Sequence, residues 1–364
     1  MNRKVSILLP DLRGGGAERV NLDLAHEFTR AGHEVEFVLM QSRGEFLEEA
    51  QASFSVVDLA TPRARALPIA LARYLHCRRP EALLAAMWPL TVIAPISARL
   101  SGHRCKVLVS EHGILSAKYR DWGLLHRVML RVSTGIGYRL VQHRVGVSSG
   151  LVKDVASLSW MRSESFCVIH NPVPARPASS PEAIAAAERL WAVSPGGRIV
   201  TVGTMKAVKN HPLLLRAFAR LDWPDARLMF VGDGQGRNAL LTLADELGVA
   251  DRVILAGFRP DPTPFYKTAD LFVLSSDYEG FGNVIVEALA CGTPVVSTDS
   301  PSGPGEILEG GRFGRLVPVG DAEAMAGAMH AALDAPSNGD MLKHRAADFL
   351  PGIAARKYLE ILDL

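Results

Sequence analysis

The segment Leu271-Phe-Val-Leu274 and, four residues later, Glu279-Gly-Phe-Gly-Asn-Val-Ile-Val-Glu287 decide the fold of this chain. The four apolar residues predict a short buried strand, and Val284 to Ala290 predicts the helix that follows. The two glycines between them allow a sharp turn and a close approach of a ligand to the main chain. The first helical amides, from about Asn283, would present N–H donors and a positive dipole end to that ligand.

Two carboxylates bracket this turn. Glu279 lies on the predicted loop and Glu287 lies one to two turns into the helix, so both can face one polyhydroxylated molecule and accept hydrogen bonds from it. Two solvated acids at a loop-to-helix junction would show the same spacing. The preceding strand, the Gly-Phe-Gly turn and the following Ala288-Leu-Ala-Cys-Gly-Thr-Pro-Val-Val296 together favour a binding site.

Apolar runs alternate with helical patterns along the whole chain, which predicts an α/β protein with parallel sheets covered by helices on both faces. The first half has one predicted helix near residues 17–31 and these predicted strands: Val5–Leu9, Val35–Met40, Ser55–Leu59, Leu83–Met87, Val107–Ser110, Arg144–Val147 and Phe166–Ile169. The second half has a predicted helix at His211–Leu221 and these predicted strands: Arg198–Val202, Leu228–Val231, Val253–Leu255, Leu271–Leu274, Pro294–Thr298 and Gly314–Val317.

The proline-rich segment Asn171-Pro-Val-Pro-Ala-Arg-Pro-Ala-Ser-Ser-Pro181 predicts a hinge between the halves. A length of 364 residues suits two domains, which we place at residues 1–172 and 173–345. Two such halves would face each other across a cleft, and open parallel sheets bind ligands at the carboxyl ends of their strands.

The Glu-x7-Glu pattern with its Gly-Thr-Pro-Val-Val continuation resembles the donor-sugar motif of family-4-type (GT4) retaining glycosyltransferases, which include bacterial polysaccharide and lipopolysaccharide enzymes. The resemblance implies a GT-B fold of two Rossmann-like domains and a C-terminal helix, within residues 346–364, that crosses back to the first domain. In that family the second carboxylate, here Glu287, holds the nucleotide ribose, and the first, here Glu279, contacts the transferred sugar. The turn between them would also line the donor through Gly280, Phe281, Gly282, Asn283 and Val284.

The glycine-rich segment Gly14-Gly-Gly-Ala-Glu-Arg19 follows the first predicted strand and opens the first helix. Its glycines allow backbone amides to approach a phosphate or a sugar, although a simple tight turn would have the same sequence. The resemblance implies that Gly15 and Gly16 close over the donor diphosphate. It places Gly14, Glu18 and Arg19 toward the acceptor, with Arg19 either fixing the loop or solvated.

A second loop, Val202-Gly-Thr-Met-Lys-Ala-Val-Lys-Asn210, follows the first strand of the second half. A lysine at this place suits the charge of a leaving diphosphate. The resembled family has Gly-Arg-x-x-x-x-Lys here, so Gly203 and Lys209 match while Thr204 replaces the arginine. That departure puts one phosphate contact in doubt, and Lys206 is a candidate substitute.

Three further segments extend the predicted site. Gly232-Asp-Gly-Gln-Gly236 resembles a dinucleotide fingerprint, but its third glycine falls one position early and the expected strand-end acid is missing, which argues against NAD. The family places Gly232 along the nucleotide, and Gly257-Phe-Arg-Pro260 resembles the segment that reads the base, through Arg259 and Pro260. Pro301-Ser-Gly-Pro-Gly-Glu306 resembles a run frequent in subfamilies that use UDP-N-acetylhexosamines.

In the first half, Ser110-Glu-His-Gly113 ends a predicted strand. A histidine at a strand end can hydrogen-bond the donor sugar or the reacting centre, and the family commonly has one here. A lone histidine is more often structural, but its position at the strand end favours a role for His112 as a catalytic and acceptor-side residue. Glu111 is expected to point to the opposite face.

Composition limits the other possibilities. Four scattered cysteines indicate a reducing compartment and no zinc or disulfide framework. The chain begins Met-Asn-Arg-Lys and passes directly into a strand, so no signal peptide is expected. The uncharged stretch Ala82–Ala98 is short for a membrane span and contains Pro89 and Pro95, which favours a strand, a loop and a buried helix.

The charge is asymmetric although the whole chain carries +2. Thr61–Arg144 has 14 Lys and Arg against 3 Asp and Glu, a balance of +11. This balance suits either soluble helix surfaces or attraction to anionic phospholipid or a phosphorylated acceptor, whereas no nucleic-acid-binding module is present.

These observations predict a cytoplasmic, membrane-peripheral glycosyltransferase that moves a sugar from a nucleotide diphosphate, UDP favoured, to a saccharide acceptor that is lipid-linked. The expected catalytic residues are His112, Lys209 and Glu279. No Asp-x-Asp occurs, so neither a metal nor another cofactor is expected. The alternatives are a non-catalytic sugar-nucleotide-binding subunit and a sugar-nucleotide epimerase or hydrolase, with an NAD oxidoreductase the weakest.

Overall fold

The computed structural model describes residues 3–174, 179–191, 196–335 and 337–364. Its contacts divide the chain into two compact units, one of residues 1–174 with Phe349–Leu364 and one of Ala175–Asp348. Residues 175–178 of the predicted hinge lie outside the described residues.

The first unit is built on a seven-stranded parallel sheet in the order β3-β2-β1-β4-β5-β6-β7. Apolar side chains fill its inner strands because helices cover both faces of a parallel sheet. The strands are β1 Lys4–Leu9, β2 Glu34–Leu39, β3 Ser55–Asp58, β4 Ala82–Ala86, β5 Lys106–Glu111, β6 His143–Gly146 and β7 Cys167–Val168.

The second unit has a six-stranded parallel sheet in the order β10-β9-β8-β11-β12-β13. In chain order within the unit this is 3-2-1-4-5-6, the arrangement of dinucleotide-binding Rossmann folds. The strands are β8 Arg198–Val202, β9 Arg227–Val231, β10 Val253–Gly257, β11 Leu271–Leu274, β12 Val295–Thr298 and β13 Arg315–Val317.

Helices connect these strands. Those of the first unit are α1 Gly16–Arg30, α2 Leu47–Ser53, α3 Leu67–Arg78, α4 Leu90–Ser101, α5 Leu115–Lys118, α6 Leu124–Gly137, α7 Ser149–Leu158 and, at the C-terminus, α16 Pro351–Leu362. Those of the second unit are α8 Pro181–Leu190, α9 His211–Arg220, α10 Arg237–Glu246, α11 Thr263–Lys267, α12 Asn283–Cys291, α13 Pro304–Ile307, α14 Ala322–Asp334 and α15 Gly339–Ala347.

The thirteen predicted strands are confirmed, and their ends differ from the predicted ones by at most two residues. Burial explains why they were readable: Ile7, Phe37 and Leu84 in the first sheet are fully buried, as are Ile199 and Val273 in the second. Each such side chain contributes about 1.5–3 kcal/mol by leaving water. The shortest strand, β7, lies at the sheet edge and its two residues are exposed.

The stretch from Ala82 to Ala98 forms β4, a loop and most of α4, as predicted. Among the described residues, no helix has both the length and the apolar character needed to cross a membrane.

The C-terminal helix α16 packs against α1 in the first unit. The ring of Tyr358 lies 6.5 Å from that of Phe28, and its hydroxyl lies 3.0 Å from the hydroxyl of Ser110 on β5. The last helix of the chain thus completes the core built by the first half of the sequence.

Candidate functional site

The order in which strands are added to the second sheet reverses between β8 and β11. These strands are neighbours, but β9 and β10 follow on one side of β8 while β12 and β13 continue on the other. In open α/β sheets, ligands bind at such a switch point, outside the carboxyl ends of the strands. The loop after β8 carries Lys209 and the loop after β11 carries Glu279, so the topology brings these two predicted residues to one place.

Lys209 and Glu279 form an ion pair at this point. The Lys209 Nζ lies 2.7 Å from Oε1 of Glu279, and the hydroxyl of Ser276 donates to the same oxygen at 2.6 Å. Both side chains are mostly buried, with 19% of Lys209 and 13% of Glu279 exposed. Both bonds fall on Oε1, so Oε2 is the oxygen of Glu279 that can accept from a ligand hydroxyl.

Hydrogen bonds between the two loops hold this pair in position. The amide of Asn210 donates to Asp277 at 2.7 Å, and its side-chain oxygen caps α9 by accepting from the Leu213 N–H. The Ser275 hydroxyl donates to the main-chain oxygen of Lys209 at 2.8 Å. The lysine is therefore anchored through its own backbone.

The turn before α12 positions the N-terminus of that helix beside Glu279. Gly282 is the N-cap residue with φ +101°, a left-handed conformation that favours glycine. The Phe281 side chain is buried in the unit, so it reaches a ligand only through its main chain. Asn283 and Val284 form the half-buried first turn of α12, whose dipole favours an anion at this end.

Glu287 lies one turn further along α12. Its Oε2 accepts a hydrogen bond from the hydroxyl of Tyr266 at 3.0 Å. Tyr266 is buried on α11, with its ring 5.5 Å from that of Phe272 on β11. The tyrosine therefore fixes the carboxylate while the glutamate side chain stays half-buried.

The two glycine loops after β8 and β9 touch each other. Gly232 has φ +146°, and a Cβ there would lie 2.0 Å from the carbonyl oxygen of Gly203. A Cβ at Gly203 would itself meet the Lys209 side chain at 3.4 Å. These glycines thus form one closely packed wall next to the lysine.

The other predicted donor residues lie on exposed loops. Thr204, in the place of the family's arginine, is exposed, and so is Lys206. Arg259 and Pro260 are exposed after β10, with the Arg259 guanidinium 5.9 Å over the ring of Phe265.

In the first unit, the glycine loop meets α1 at its N-cap, Gly15, and its first residue, Gly16. The Gly14 N–H donates to Glu45 at 2.7 Å, so that amide already has an anionic partner. The Glu18 carboxylate folds back to Gly15, where a Cβ would lie 2.2 Å from it, and burial raises the pKa of Glu18.

Arg19 fixes the start of α1, one of the two predicted possibilities. Its guanidinium donates two hydrogen bonds to the carboxylate of Glu49 on α2, at 2.7 and 2.8 Å. It also lies 4.1 Å over the ring of Phe46. The arginine therefore braces the loop against α2.

His112 follows β5 and is half-buried. Its Nε2 lies 3.1 Å from the hydroxyl of Ser110, which also contacts Tyr358 of α16. Burial lowers the pKa of His112 to about 4, opposed by the side chain of Asn171. The imidazole is therefore neutral at pH 7 and can act as a hydrogen-bonding group.

Glu111 points to the other side of β5. Its Oε1 accepts from the hydroxyls of Thr91 and Tyr138, each at 2.6 Å, and its Oε2 accepts from the Trp88 N–H at 3.2 Å. It is buried, and burial raises its pKa. Alternation along the strand predicted that Glu111 points away from the face of His112. It did not predict the three hydrogen-bond donors to Glu111, which come from two segments distant in sequence.

An aromatic cluster at the carboxyl edge of the first sheet was not predicted. The ring of Trp88, in the loop after β4, lies 5.2 Å from that of Tyr119 and 5.9 Å from that of Trp122. Trp122 in turn contacts His126 on α6 at 5.5 Å. Three of these residues lie within Tyr119–His126, but no signal in the sequence indicated that Trp88, more than 30 residues earlier, packs against them.

Among the described residues, no group of three or more His, Cys, Asp or Glu side chains is placed to hold a metal ion.

Two family models match most of the chain. The model described as Glycosyltransferase Family 4 matches residues 14–176, and the model described as Glycosyl transferases group 1 matches residues 196–335. Each match falls almost entirely on one of the two units, and the second contains both Lys209 and Glu279.

Sequence similarity to known glycosyltransferases agrees with these two family matches. The chain is 35% identical over 220 residues to the lipopolysaccharide core biosynthesis glycosyltransferase LpsE of Rhizobium meliloti, covering 58% of this chain and 62% of that protein. It is 40% identical over 127 residues to a Campylobacter jejuni N-acetylgalactosaminyltransferase named for a diphospho-undecaprenol acceptor, covering 35% of this chain and 34% of that protein. Both matches span less than two thirds of the relative's length.

Among solved structures, Anabaena HepE in complex with UDP and glucose superposes with a TM-score of 0.84 at 22% identity, over the full length of both chains. At that identity the likeness shows the fold alone. The two Rossmann-like units and this superposition define a GT-B fold. With the two family matches, the chain belongs to the GT4-type glycosyltransferases.

Proposed function

We propose that this protein is a retaining, metal-independent hexosyltransferase that moves a sugar from a UDP-sugar to a lipid-linked saccharide during surface polysaccharide or lipopolysaccharide assembly. The observation that carries the proposal is the Lys209–Glu279 pair at the switch point of the second sheet, beside the N-terminus of α12. A cation, a carboxylate and a helix dipole at one place suit a molecule with both a diphosphate and hydroxyl groups.

The diphosphate of the donor would lie between Lys209 and the first turn of α12. Negative charge grows on this group as the bond to the sugar breaks, and fixed donors that face it stabilise the transition state. The ion pair with Glu279 holds the ammonium group in place before the donor binds. Because the two loops anchor the lysine backbone, little reorganisation is needed when the leaving group departs.

The two glutamates would bind the sugars of the donor. Glu279 would accept from hydroxyls of the transferred sugar through Oε2, while Glu287, fixed by Tyr266, would accept from the ribose. Gly203 and Gly232 would let the nucleotide approach the main chain, with Arg259 and Pro260 at the base.

Support for UDP and for a lipid-linked acceptor comes from relatives. HepE was solved with UDP and glucose, and the Campylobacter relative is named for an N-acetylgalactosaminyl transfer onto a diphospho-undecaprenol saccharide. The segment Pro301–Glu306 adds a preference for an N-acetylhexosamine donor. Its Ser302 hydroxyl donates to the Gly280 oxygen at 3.0 Å, which ties this loop to the donor turn.

The acceptor would bind the first unit near Gly15, Gly16 and the neutral imidazole of His112. We propose substitution on the front face of the sugar within an ion pair. Glu279 and Glu287 are both proposed to hydrogen-bond donor hydroxyls, so neither is given the role of nucleophile. The bond from the anomeric carbon to the diphosphate oxygen breaks, the acceptor hydroxyl oxygen forms its bond on the same face, and the proton of that hydroxyl passes to the departing diphosphate. Trapping a covalent glycosyl-enzyme on either carboxylate would overturn this mechanism.

Thermal unfolding in the presence of UDP, GDP, ADP and their common sugar conjugates tests the donor site first. A ligand at about 100 times its Kd adds roughly 2.7 kcal/mol of apparent stability. We expect a selective rise with uridine nucleotides that is reduced in the Lys209→Ala variant. A protein that shows no rise with any nucleotide would lack the proposed donor site.

The exposed Thr204 favours one second candidate, a sugar-nucleotide-binding subunit without catalysis, because the family's arginine is absent there. Release of UDP from UDP-sugars, with saccharide-diphosphate lipids supplied as acceptors, separates the two. Selective UDP binding without turnover on any acceptor would favour the second candidate.

A further inference from the structure

Most large apolar side chains of helix α6 face away from the protein core, the reverse of a helix that packs on a core. Its buried residues are Leu130, Thr134, Gly135 and Gly137, only one of them a large apolar residue. Gly137 approaches Val92 of α4 so closely that a Cβ would lie 2.6 Å from it. The inward face therefore makes close contact through small residues.

Large apolar side chains cover the opposite face. Leu124 and Leu125 are each 72% exposed, and four more exposed side chains continue the face along the helix: Val128, Met129, Val132 and Ile136. At about 100° per residue these six positions fall within an arc of about 140°, centred almost opposite Leu130 and Thr134. Surface helices normally show the reverse pattern, so this face is built to contact something other than water.

Basic residues lie along one edge of this apolar face. Arg127 and Arg131 lie one turn apart along one edge, and both are exposed. From His112 to Arg144 the chain has six Lys and Arg residues against one acid, Asp121. Two copies packed face to face through α6 would bring these like charges together, whereas an anionic surface would complement them.

We infer that α6 is an interfacial membrane helix that lies in the plane of an anionic phospholipid bilayer, with Leu124, Leu125, Val128, Met129, Val132 and Ile136 among the acyl chains and Arg127 and Arg131 at the headgroups. An apolar face with a basic edge is the pattern of helices that lie in the membrane interface. Attraction to acidic headgroups strengthens with each basic residue and weakens with salt.

The helix is joined to the predicted acceptor edge of the first sheet. The Trp88 indole N–H donates to the Ser133 hydroxyl of α6 at 3.2 Å, and Trp122 contacts His126 in the first turn of α6. A seated α6 would hold the loop after β4 close to the bilayer surface. A membrane-bound α6 would bring the proposed lipid-linked acceptor to the first unit, and this consequence rests on the proposed function. The binding of α6 to a membrane can be tested without it.

Vesicle flotation of the full-length protein tests the inference, with vesicles of phosphatidylglycerol and phosphatidylcholine or of phosphatidylcholine alone. We expect the protein to float with the anionic vesicles, less in high salt. The triple variant Leu125→Ser, Val128→Ser, Met129→Ser should bind them at least about tenfold more weakly. The matched control, Leu241→Ser, Val319→Ser, Ile353→Ser, removes three exposed apolar side chains elsewhere and should float like wild type.

A charge variant separates the contribution of the two arginines to membrane binding from that of the apolar face. Arg127→Gln with Arg131→Gln should reduce binding to the anionic vesicles and abolish much of its salt sensitivity. Wild type that stays unbound, or a triple Ser variant that floats equally well, would overturn the inference. So would a wild-type dimer that the triple variant converts to monomer, because a second copy would then cover α6.

Nucleotide binding keeps this test independent of the proposed function. The triple Ser variant should retain the thermal shift with UDP, which also shows that it is folded. Loss of flotation with an intact shift assigns the effect to α6. Flotation of a protein that shows no shift with any nucleotide would keep the membrane helix and overturn the donor site.

Discussion

Two glutamates at the carboxyl edges of the two sheets have opposite surroundings. Glu111, at the end of β5, is buried, and Thr91, Tyr138 and the Trp88 amide occupy both of its oxygens. Glu279, in the loop after β11, is partly exposed and receives Lys209 and Ser276 on one oxygen. The position on the sheet is similar, so the partners of each carboxylate decide its role.

This difference separates a structural carboxylate from a binding one. The protein alone meets the hydrogen-bonding needs of Glu111, which ties the loop after β4 to α4 and to the segment after α6. Glu279 sits beside a cation in a loop that a ligand can reach. Substitutions should therefore divide in the same way, into losses of stability in the first unit and losses of activity in the second.

The largest expected effect is on stability, in the Glu111→Ala variant. The change leaves two buried hydroxyls and one amide without their acceptor, which outweighs the relief of removing a buried carboxylate. We expect the first unit to lose roughly 3 kcal/mol or more of unfolding free energy, measured by urea denaturation. Glu279→Ala is the comparison and should lose less than Glu111→Ala, because 19% of the Lys209 side chain is in contact with water even before its partner is removed. Equal losses in the two variants would remove the distinction between the carboxylates.

The next effect is on catalysis, in the Lys209→Ala variant. Without the ammonium group, the departing diphosphate loses its nearest proposed cation. Turnover should fall at least about a hundredfold, equivalent to about 2.7 kcal/mol, while the protein stays folded and still unfolds in one cooperative urea transition. Single-turnover measurements with a UDP-sugar and a saccharide acceptor would show whether the chemical step is the one that slows.

Lys267→Ala provides the control for this change, because Lys267 is an exposed lysine of the same unit that has no assigned role. It should retain wild-type turnover. A folded Lys209→Ala enzyme with wild-type turnover would refute the leaving-group role and would reduce the Lys209–Glu279 pair to a structural contact.

A smaller effect concerns pH and a buried group next to the site. Burial, aided by the charge of Lys209, lowers the pKa of His211 at the start of α9 from 6.5 to about 4. Between these values the unfolded chain binds more protons than the folded one, so stability is full above pH 6.5 and is lost as the pH falls toward 4. From pH 7.5 to pH 5 this group should account for about 2 kcal/mol.

The His211→Gln variant measures that contribution. Its unfolding free energy at pH 7.5 and at pH 5 should differ by about 2 kcal/mol less than the wild-type difference. The raised pKa of Glu111 gives an opposite slope, but Glu111 is present in both proteins and cancels in the comparison. An unchanged pH dependence would show that His211 does not titrate as a buried base.

The sequence predicted the strands and much of the second-unit site for a physical reason. Buried parallel strands are continuous apolar runs, and turn glycines and the acids around them lie within one short segment. Lys209 and Glu279 are 70 residues apart, yet each follows a strand whose end was predictable. Adjacent parallel strands then place them together.

Other contacts needed the three-dimensional structure. Thr91 and Tyr138 lie 20 and 27 residues from Glu111, and no periodicity connects them. The sequence left two roles open for Arg19, and only its contacts with Glu49 and Phe46 show that it fixes the start of α1. Helix α6 was not predicted from the sequence, and only its packing shows that its apolar side faces outward.

The smallest expected effect compares two phenols, one beside each type of carboxylate. Tyr266→Phe removes the hydrogen bond to Glu287 and keeps the ring against Phe272. Losing one such bond costs about 1 kcal/mol, so UDP affinity by calorimetry should weaken about fivefold, and KM for the donor should rise with kcat nearly unchanged. Tyr138→Phe, which removes one hydrogen bond to Glu111, should instead lower the stability of the first unit and leave UDP affinity unchanged. If Tyr138→Phe weakened UDP binding as much as Tyr266→Phe does, the two carboxylates could not be assigned separate roles.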